Sequence, residues 1–177
     1  MKDHPIIFSG EMVRVLLSGR KTMTRRLASS PLRRARPGDR LWVRENVKLR
    51  SVGPLPGEVS LIYQADTDQM SAPIYDRFTK PGDKNRLKFT GWTPSIHMPR
   101  WASRITLLLD SVKTEPLQTI SDADAKSEGC TSRDDFCELW TRLHGNHGRE
   151  CWVLDPLIVA LSFRLEEINI DQQGATP

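Results

Sequence analysis

The sequence predicts an α+β fold, a small mixed β-barrel with flanking α-helices. Three observations carry this expectation: short strand-like segments recur along most of the chain, helical periodicity is confined to three places, and no internal repeat links them. With 177 residues, 38% hydrophobic and 27% charged, the chain can bury one substantial core and is too apolar for wholesale disorder. A single domain over 1–170 is expected, with an insertion loop at 66–91 and a frayed tail at 171–177.

Residues 5–8, Pro-Ile-Ile-Phe, read as the first strand. Ser9 follows as a helix cap, Met12, Val13, Leu16 and Leu17 supply the apolar face, and Gly19 stands where a C-cap is wanted. The turn Gly19-Arg20-Lys21-Thr22 therefore leaves a helix end. Residues 22–27 read as a strand and 29–37 as a basic loop. Pro37-Gly38-Asp39 is a turn signal, after which residues 40–48 alternate, with Leu41, Val43, Glu45 and Val47 opposite Arg40, Trp42, Arg44 and Asn46. That pattern predicts one half-buried strand with a cationic, aromatic face.

A Gly/Pro loop at 53–57 precedes a strand at 59–65, and Pro73, Pro81 and Gly82 break the polar stretch that follows. Residues 102–112 are strand-like. Ser121, with Asp124 three residues on, starts a short helix that ends at Glu128 before Gly129. Ser132 caps a second helix whose Phe136, Leu139, Trp140 and Leu143 lie at i, i+3, i+4 and i+7, and Gly145 ends it. The last strand, 157–165, sets Leu157, Val159, Leu161, Phe163 and Leu165 on one face.

Charge is unevenly placed. Residues 14–50 hold 12 Lys or Arg against two acids, Asp39 and Glu45, so this stretch stands at +10 and leaves −6 for the rest of a chain whose total is +4. Such asymmetry points to a polyanionic partner, with a solvated basic face as the plain alternative. No stretch approaches the roughly 18–20 apolar residues that span a bilayer, and Met1-Lys2-Asp3-His4-Pro5 leads into no apolar signal core. The expected compartment is the cytoplasm, with no membrane partner and a monomer by default. Three cysteines, Cys130, Cys137 and Cys151, are too few and odd in number for a disulfide framework, so reduced thiols are expected. These cysteines with His144 and His147 invite a zinc reading, but no Cys-x-x-Cys knuckle is present, and neither metal nor cofactor is expected.

The densest chemistry lies in Gly19-Arg20-Lys21-Thr22-Met23-Thr24-Arg25-Arg26. A lysine and a hydroxyl three positions apart, in a turn leaving a helix, can meet over one substrate while the arginines hold an anionic or polar group. The plain alternative is a solvated basic turn. Residues 94–104 add His97, Arg100, Trp101 and Arg104 around two prolines. Together with Trp42 between Arg40 and Arg44, these suit stacking on unpaired bases with guanidinium groups on phosphate, or else the tryptophans are simply core.

Gly19-Arg20-Lys21 with Thr24 and Arg26 resembles the signature of the ASCH family, whose members share a PUA-like barrel and are associated with RNA. Residues 37–45, Pro-Gly-Asp-Arg-Leu-Trp-Val-Arg-Glu, the run from Trp92 to Arg104, and the helix at 120–129 look like the longer phage and prophage branch of that family. The resemblance spans most of 6–163 and leaves the 66–91 insertion and the tail outside it. Short bacterial enzymes of the family hydrolyse N4-acetylcytidine to cytidine and acetate with a lysine, a threonine and a glutamate, and the matching positions here are Lys21, Thr24 and Glu128. Many members carry an acid where Thr24 stands, so the threonine favours the amidohydrolase reading. On this resemblance Thr24 is the nucleophile, Lys21 the base, and Glu128 its orienter or proton shuttle.

Other readings stay open. Lys21 and Glu128 can form a purely structural ion pair. The chain can be a non-catalytic RNA-binding module resting on Arg20, Arg25, Arg26, Arg40, Trp42, Arg44, His97, Arg100, Trp101 and Arg104, or a metal-independent ribonuclease.

Overall fold

The computed structural model describes residues 1–52, 58–66, 75–77 and 91–172. The elements are β1 (Asp3–Ile7), α1 (Gly10–Leu17), β2 (Met23–Leu27), β3 (Arg40–Arg44), β4 (Val47–Val52), β5 (Glu58–Tyr63), β6 (Tyr75–Arg77), β7 (Thr106–Pro116), α2 (Asp122–Ser127), α3 (Arg133–His144) and β8 (Leu157–Glu166), with short 3-10 turns between them. The fold is mixed α+β. One sheet has five strands in the order β1-β3-β7-β8-β2, and a second has three in the order β4-β5-β6. No helix of the described residues is long and apolar enough to cross a membrane.

The chain divides into two compact units, the first comprising Met1–His4, Val15–Arg40 and Leu107–Leu165, the second Pro5–Arg14, Leu41–Thr106 and Glu166–Pro177. In the first unit the helix signals in the sequence act as read. Ser121 Oγ accepts the Asp124 amide and the Asp124 carboxylate returns to the Ser121 amide, a complete capping box at the start of α2. Ser132 Oγ accepts the Asp135 amide at 3.2 Å to start α3. The core of this unit joins Leu117, Ile120, Ala125, Phe136, Trp140, Ile158 and Ala160.

Two details of the first unit differ from expectation. Leu143 is 67% exposed, because the inner row of α3 runs Phe136, Trp140, His144, with the His144 ring stacked on Trp140 at 4.1 Å. Leu157 is also outside, whereas Ile158, Val159, Ala160 and Leu161 are all buried. β8 lies between β7 and β2, so an interior strand is apolar on both faces and shows no alternation. β2 pairs with it antiparallel, setting Thr24 opposite Leu161 and Leu27 opposite Ile158.

In the second unit the alternation predicted over 40–48 persists. Leu41, Val43, Glu45, Val47 and Leu49 are buried, while Trp42, Arg44, Asn46 and Lys48 are half-buried. The single strand expected there is two, because the chain leaves the five-stranded sheet after Arg44 and joins the three-stranded one at Val47. The strand expected from residue 102 begins at Thr106, since Arg100–Ala102 forms a 3-10 turn behind Pro99, and it runs on to Pro116. Val47, Leu49, Leu61, Tyr63, Met98 and Ala102 form the core here, with Trp101 packed against it. Within the expected 66–91 loop, Tyr75–Arg77 forms β6 on β5, with Glu58 opposite Arg77 and Ser60 opposite Tyr75. The rest of that loop apart from Asp66 and Gly91, the 53–57 loop, and the tail beyond residue 172 lie outside the described residues.

Candidate active site

Gly19 takes φ +72°, a left-handed conformation that turns the chain out of α1 without the strain a side chain would add. The Lys21 amide then donates to the Val15 carbonyl at 3.3 Å, and the Thr22 amide donates to the Ser127 carbonyl at 2.8 Å, stitching the turn to the end of α2. Glu128 caps that helix end, and Gly129 follows at φ +90°. A Cβ on Gly129 would lie 2.5 Å from Val15 Cγ1, so glycine is what lets the two turns approach.

The turn brings Lys21 onto Glu128. Lys21 Nζ donates to Glu128 Oε2 and to the Glu128 carbonyl, both at 2.7 Å, and the two side chains are only 3% and 4% exposed. Arg25 lies on the same carboxylate, with Nη1 at 3.4 Å from Glu128 Oε1. Its Nη2 donates to Asp124 Oδ2 at 2.9 Å and to Glu115 Oε1 at 3.1 Å. Arg25 is thus a buried hub joining β2, β7 and α2, stacked over Phe136 at 6.0 Å. Its Nε has no hydrogen-bond partner among the described residues.

Thr24 and Arg26 are two apart on β2, so they share a strand face. Thr24 is buried, and its Oγ1 accepts from Arg26 Nη1 at 3.2 Å. Among the described residues the hydroxyl proton of Thr24 has no acceptor. Burial pushes the Arg26 guanidinium below its ordinary pKa, with the Glu128 carboxylate pulling the other way. Cys130 stands within electrostatic reach of Lys21 and Glu128, but burial, with Asp135 next in effect, pushes its thiol up to about 11, so it stays protonated at neutral pH and is a poor nucleophile.

The cluster is balanced in charge. Lys21, Arg25 and Arg26 stand against Glu115, Asp124 and Glu128. Sequence reasoning named Lys21, Thr24 and Glu128 but missed Glu115 and Asp124. Asp124 carried a signal as a capping residue; Glu115, in an exposed-looking stretch, carried none.

The remaining arginines of the first unit are placed differently. Arg20 is exposed and donates to Ser18 Oγ at 3.1 Å. Arg40 forms a two-pronged pair with Asp3 at 2.8 and 2.9 Å. Nearby, burial acts against the Asp39 carboxylate, yet the Lys2 and Arg36 amides and the His4 ring hold its pKa below the usual range.

In the second unit, Arg104 donates to both oxygens of Glu45 at 2.9 and 3.1 Å and to both of Asp66 at 2.6 and 2.9 Å, with its guanidinium 4.0 Å from the centre of the Tyr63 ring. Desolvation works against the Arg104 charge, but the two carboxylates raise its pKa further. Burial raises that of Glu45, with Arg104 opposing. Arg100 pairs with Asp171 at 2.7 Å. Arg44 lies 5.2 Å over the half-buried Trp42 ring and donates to the Ile96 carbonyl. Trp101 is half-buried against the core and His97 is exposed.

Among the described residues no group of three or more His, Cys, Asp or Glu side chains is disposed to hold a metal ion. Cys130, Cys137 and Cys151 are free thiols. His144 Nδ1 lies 3.3 Å from Glu150 Oε2.

No family model matches the chain, and no curated protein matches it. Among solved structures, the chain aligns with the crystal structure of hypothetical protein PH0355 at 10% identity and a TM-score of 0.46, over 94% of this chain and 100% of that one. It also aligns with protein EF3133 of Enterococcus faecalis V583, of the family DUF984, at 13% identity and a TM-score of 0.46, over 96% of this chain and 83% of that one.

Proposed function

We propose that this chain is an ASCH-type, PUA-like domain that hydrolyses the amide of an N4-acylated cytidine without a metal, with Thr24 as nucleophile, Lys21 as base and Glu128 as proton shuttle. The observation that supports this reading best is a buried Lys21–Glu128 pair at 2.7 Å beside a buried Thr24 hydroxyl whose proton has no acceptor. A purely structural pair would need no such hydroxyl on the neighbouring strand.

The chemistry balances within these three side chains. Lys21 passes a proton to Glu128 along their hydrogen bond, and the neutral amine takes the proton of Thr24 Oγ1 as that oxygen attacks the amide carbon. The carbonyl electron pair moves to oxygen. When the tetrahedral intermediate collapses, the C–N bond breaks and Glu128 returns its proton to the departing cytidine amine. Water then hydrolyses the acyl-Thr24 ester, restoring the hydroxyl and releasing the carboxylic acid.

Charge favours an uncharged substrate at this site. Three cations face three carboxylates there, and Arg40, Arg100 and Arg104 are each held by an acid of the chain itself. A cluster without surplus positive charge is poorly suited to a phosphodiester, which argues for a nucleoside amide over RNA cleavage. Incubation with N4-acetylcytidine and, separately, with single-stranded RNA separates these readings. The proposal expects cytidine and acetate in equal amounts and intact RNA. Shortened RNA without cytidine, or salt-sensitive RNA binding that survives Thr24→Ala with no product, overturns it.

A further inference from the structure

The basic stretch 29–37 is a motif that the amide-hydrolase reading leaves unused. Its cations differ from others in the same third of the chain. The fold gives Arg25 and Arg40 to carboxylates, whereas Arg33, Arg34 and Arg36 are exposed and their guanidinium groups have no partner among the described residues. Yet they do not ride on a loose loop. Ser30 Oγ accepts the Leu32 amide at 3.3 Å to start the 3-10 turn Pro31–Arg34, and the buried Leu32 and Ala35 root that turn in the first unit. The Asp39 carboxylate accepts the Arg36 amide at 3.0 Å and the Lys2 amide at 2.7 Å, which brings the exposed Lys2 to the same place. The Gly38 amide donates to the Leu109 carbonyl at 2.8 Å.

The acids nearest in the structure are already committed. Asp39 is buried beneath those amides and the His4 ring, Asp3 holds Arg40, and Asp110 holds Arg164. Arg33 to Arg36 span at most about 10 Å of chain, close to the Debye length of about 8 Å at physiological salt. Their charges therefore build one field and repel one another, a cost that an outside polyanion relieves. We propose that Arg33, Arg34 and Arg36, with Lys2, form a docking surface for the phosphate backbone of a polynucleotide. The surface is distinct from the Lys21–Glu128 cluster and does not depend on how that cluster is read.

Chemistry chooses among anionic partners. The three cations of the turn are all arginines, whose planar fork matches phosphate oxygens in a two-pronged contact. An anionic membrane would call for apolar side chains standing out beside the charges, and here Leu32 and Ala35 are buried. Residues 28–39 contain no aromatic side chain on which a base could stack, so the contact is to backbone and carries no base readout.

Fluorescence anisotropy with a labelled single-stranded RNA and a DNA of the same sequence tests this, with phosphatidylserine vesicles as a third arm. Each single-strand phosphate contact contributes about −0.7 to the slope of log K against log salt. Replacing the three arginines together by alanine should make that slope shallower by about 2 and weaken binding by about 10²-fold at about 0.1 M salt, the difference vanishing toward about 1 M. The corresponding Arg→Lys variant keeps the charges and should keep most of the slope. RNA and DNA should bind within about tenfold of each other, and Thr24→Ala should bind as wild type does. An unchanged slope in the alanine variant, with the fold retained by circular dichroism, overturns the proposal. So does a larger preference for RNA, which would make the 2′-hydroxyl the feature that is read. Loss of binding in Thr24→Ala would move the contact to the catalytic cluster, and a wild-type protein that binds only vesicles, or nothing, would equally sink the assignment.

Discussion

Each unit of this protein buries a charged cluster, and the two clusters are built to different standards. In the second unit Arg104 is clasped by both oxygens of Glu45 and both of Asp66 and lies on the Tyr63 ring. In the first unit Lys21, Arg25 and Glu128 are equally buried, but Arg25 Nε has no partner among the described residues and the proton of Thr24 has no acceptor there. Burial and ion pairing are common to both. Buried hydroxyls without a partner among the described residues also occur in the second unit, at Ser60 and Thr93, but neither bonds to Arg104; on the proposed function, what sets the first cluster apart is that its unspent hydrogen-bonding capacity lies beside the ion pair, at Thr24.

The largest effect that can break this comparison is Lys21→Met, which keeps most of the side-chain volume and removes the amine. Turnover of N4-acetylcytidine should fall by about 10²–10⁴-fold with the fold retained by circular dichroism. An active Lys21→Met would make the first cluster as structural as the second. Glu45→Ala should do the converse. It strands a buried guanidinium on one remaining acid and should cost about 3–5 kcal/mol in denaturant unfolding while kcat of the folded protein stays within about twofold. A loss of kcat without loss of stability would give the second cluster a part in the reaction.

The smallest expected effect sharpens the comparison by measuring an ordinary structural carboxylate. The Thr131 amide, at 2.7 Å, and its hydroxyl, at 2.9 Å, hold the Asp135 pKa below its usual value. A lowered carboxylate binds fewer protons in the folded state, so its stabilisation is present above the unfolded pKa of about 3.9 and is lost as pH falls through the folded one. Asp135→Asn should therefore melt lower than wild type at pH 7, and the gap should close as the pH drops below about 4. A gap that persists at low pH would show that the side chain acts through something other than its charge.

What the sequence made legible was local. Gly19, Ser121, Ser132 and the 41–49 alternation all announce themselves within a few residues, because caps and pleats are short-range geometry. The alternation even placed Glu45 among buried positions. Its partner Arg104 is 59 residues away, and the three acids on Arg25 are 90 to 103 residues away, so no spacing rule could join them. Arg25, Arg40 and Arg104 read in sequence as free cations for a polyanion, and the fold gives each of them to the protein's own carboxylates. The spacing of Lys21 and Thr24 stood out by itself, whereas Glu128 was named only through family resemblance. Nothing in the spacing of Glu128 from Lys21, 107 residues apart, would have paired them.

Replacing Thr24 tests the central claim most directly, because Val keeps its shape in the buried site and puts a methyl where the hydroxyl stands. Initial rates of cytidine release from N4-acetylcytidine should be retained within about tenfold by Thr24→Ser and be lost, by at least about 10³-fold, in Thr24→Val with the fold retained by circular dichroism. A Thr24→Val protein that releases cytidine at the wild-type rate, or a wild-type protein that releases none, would contradict the account.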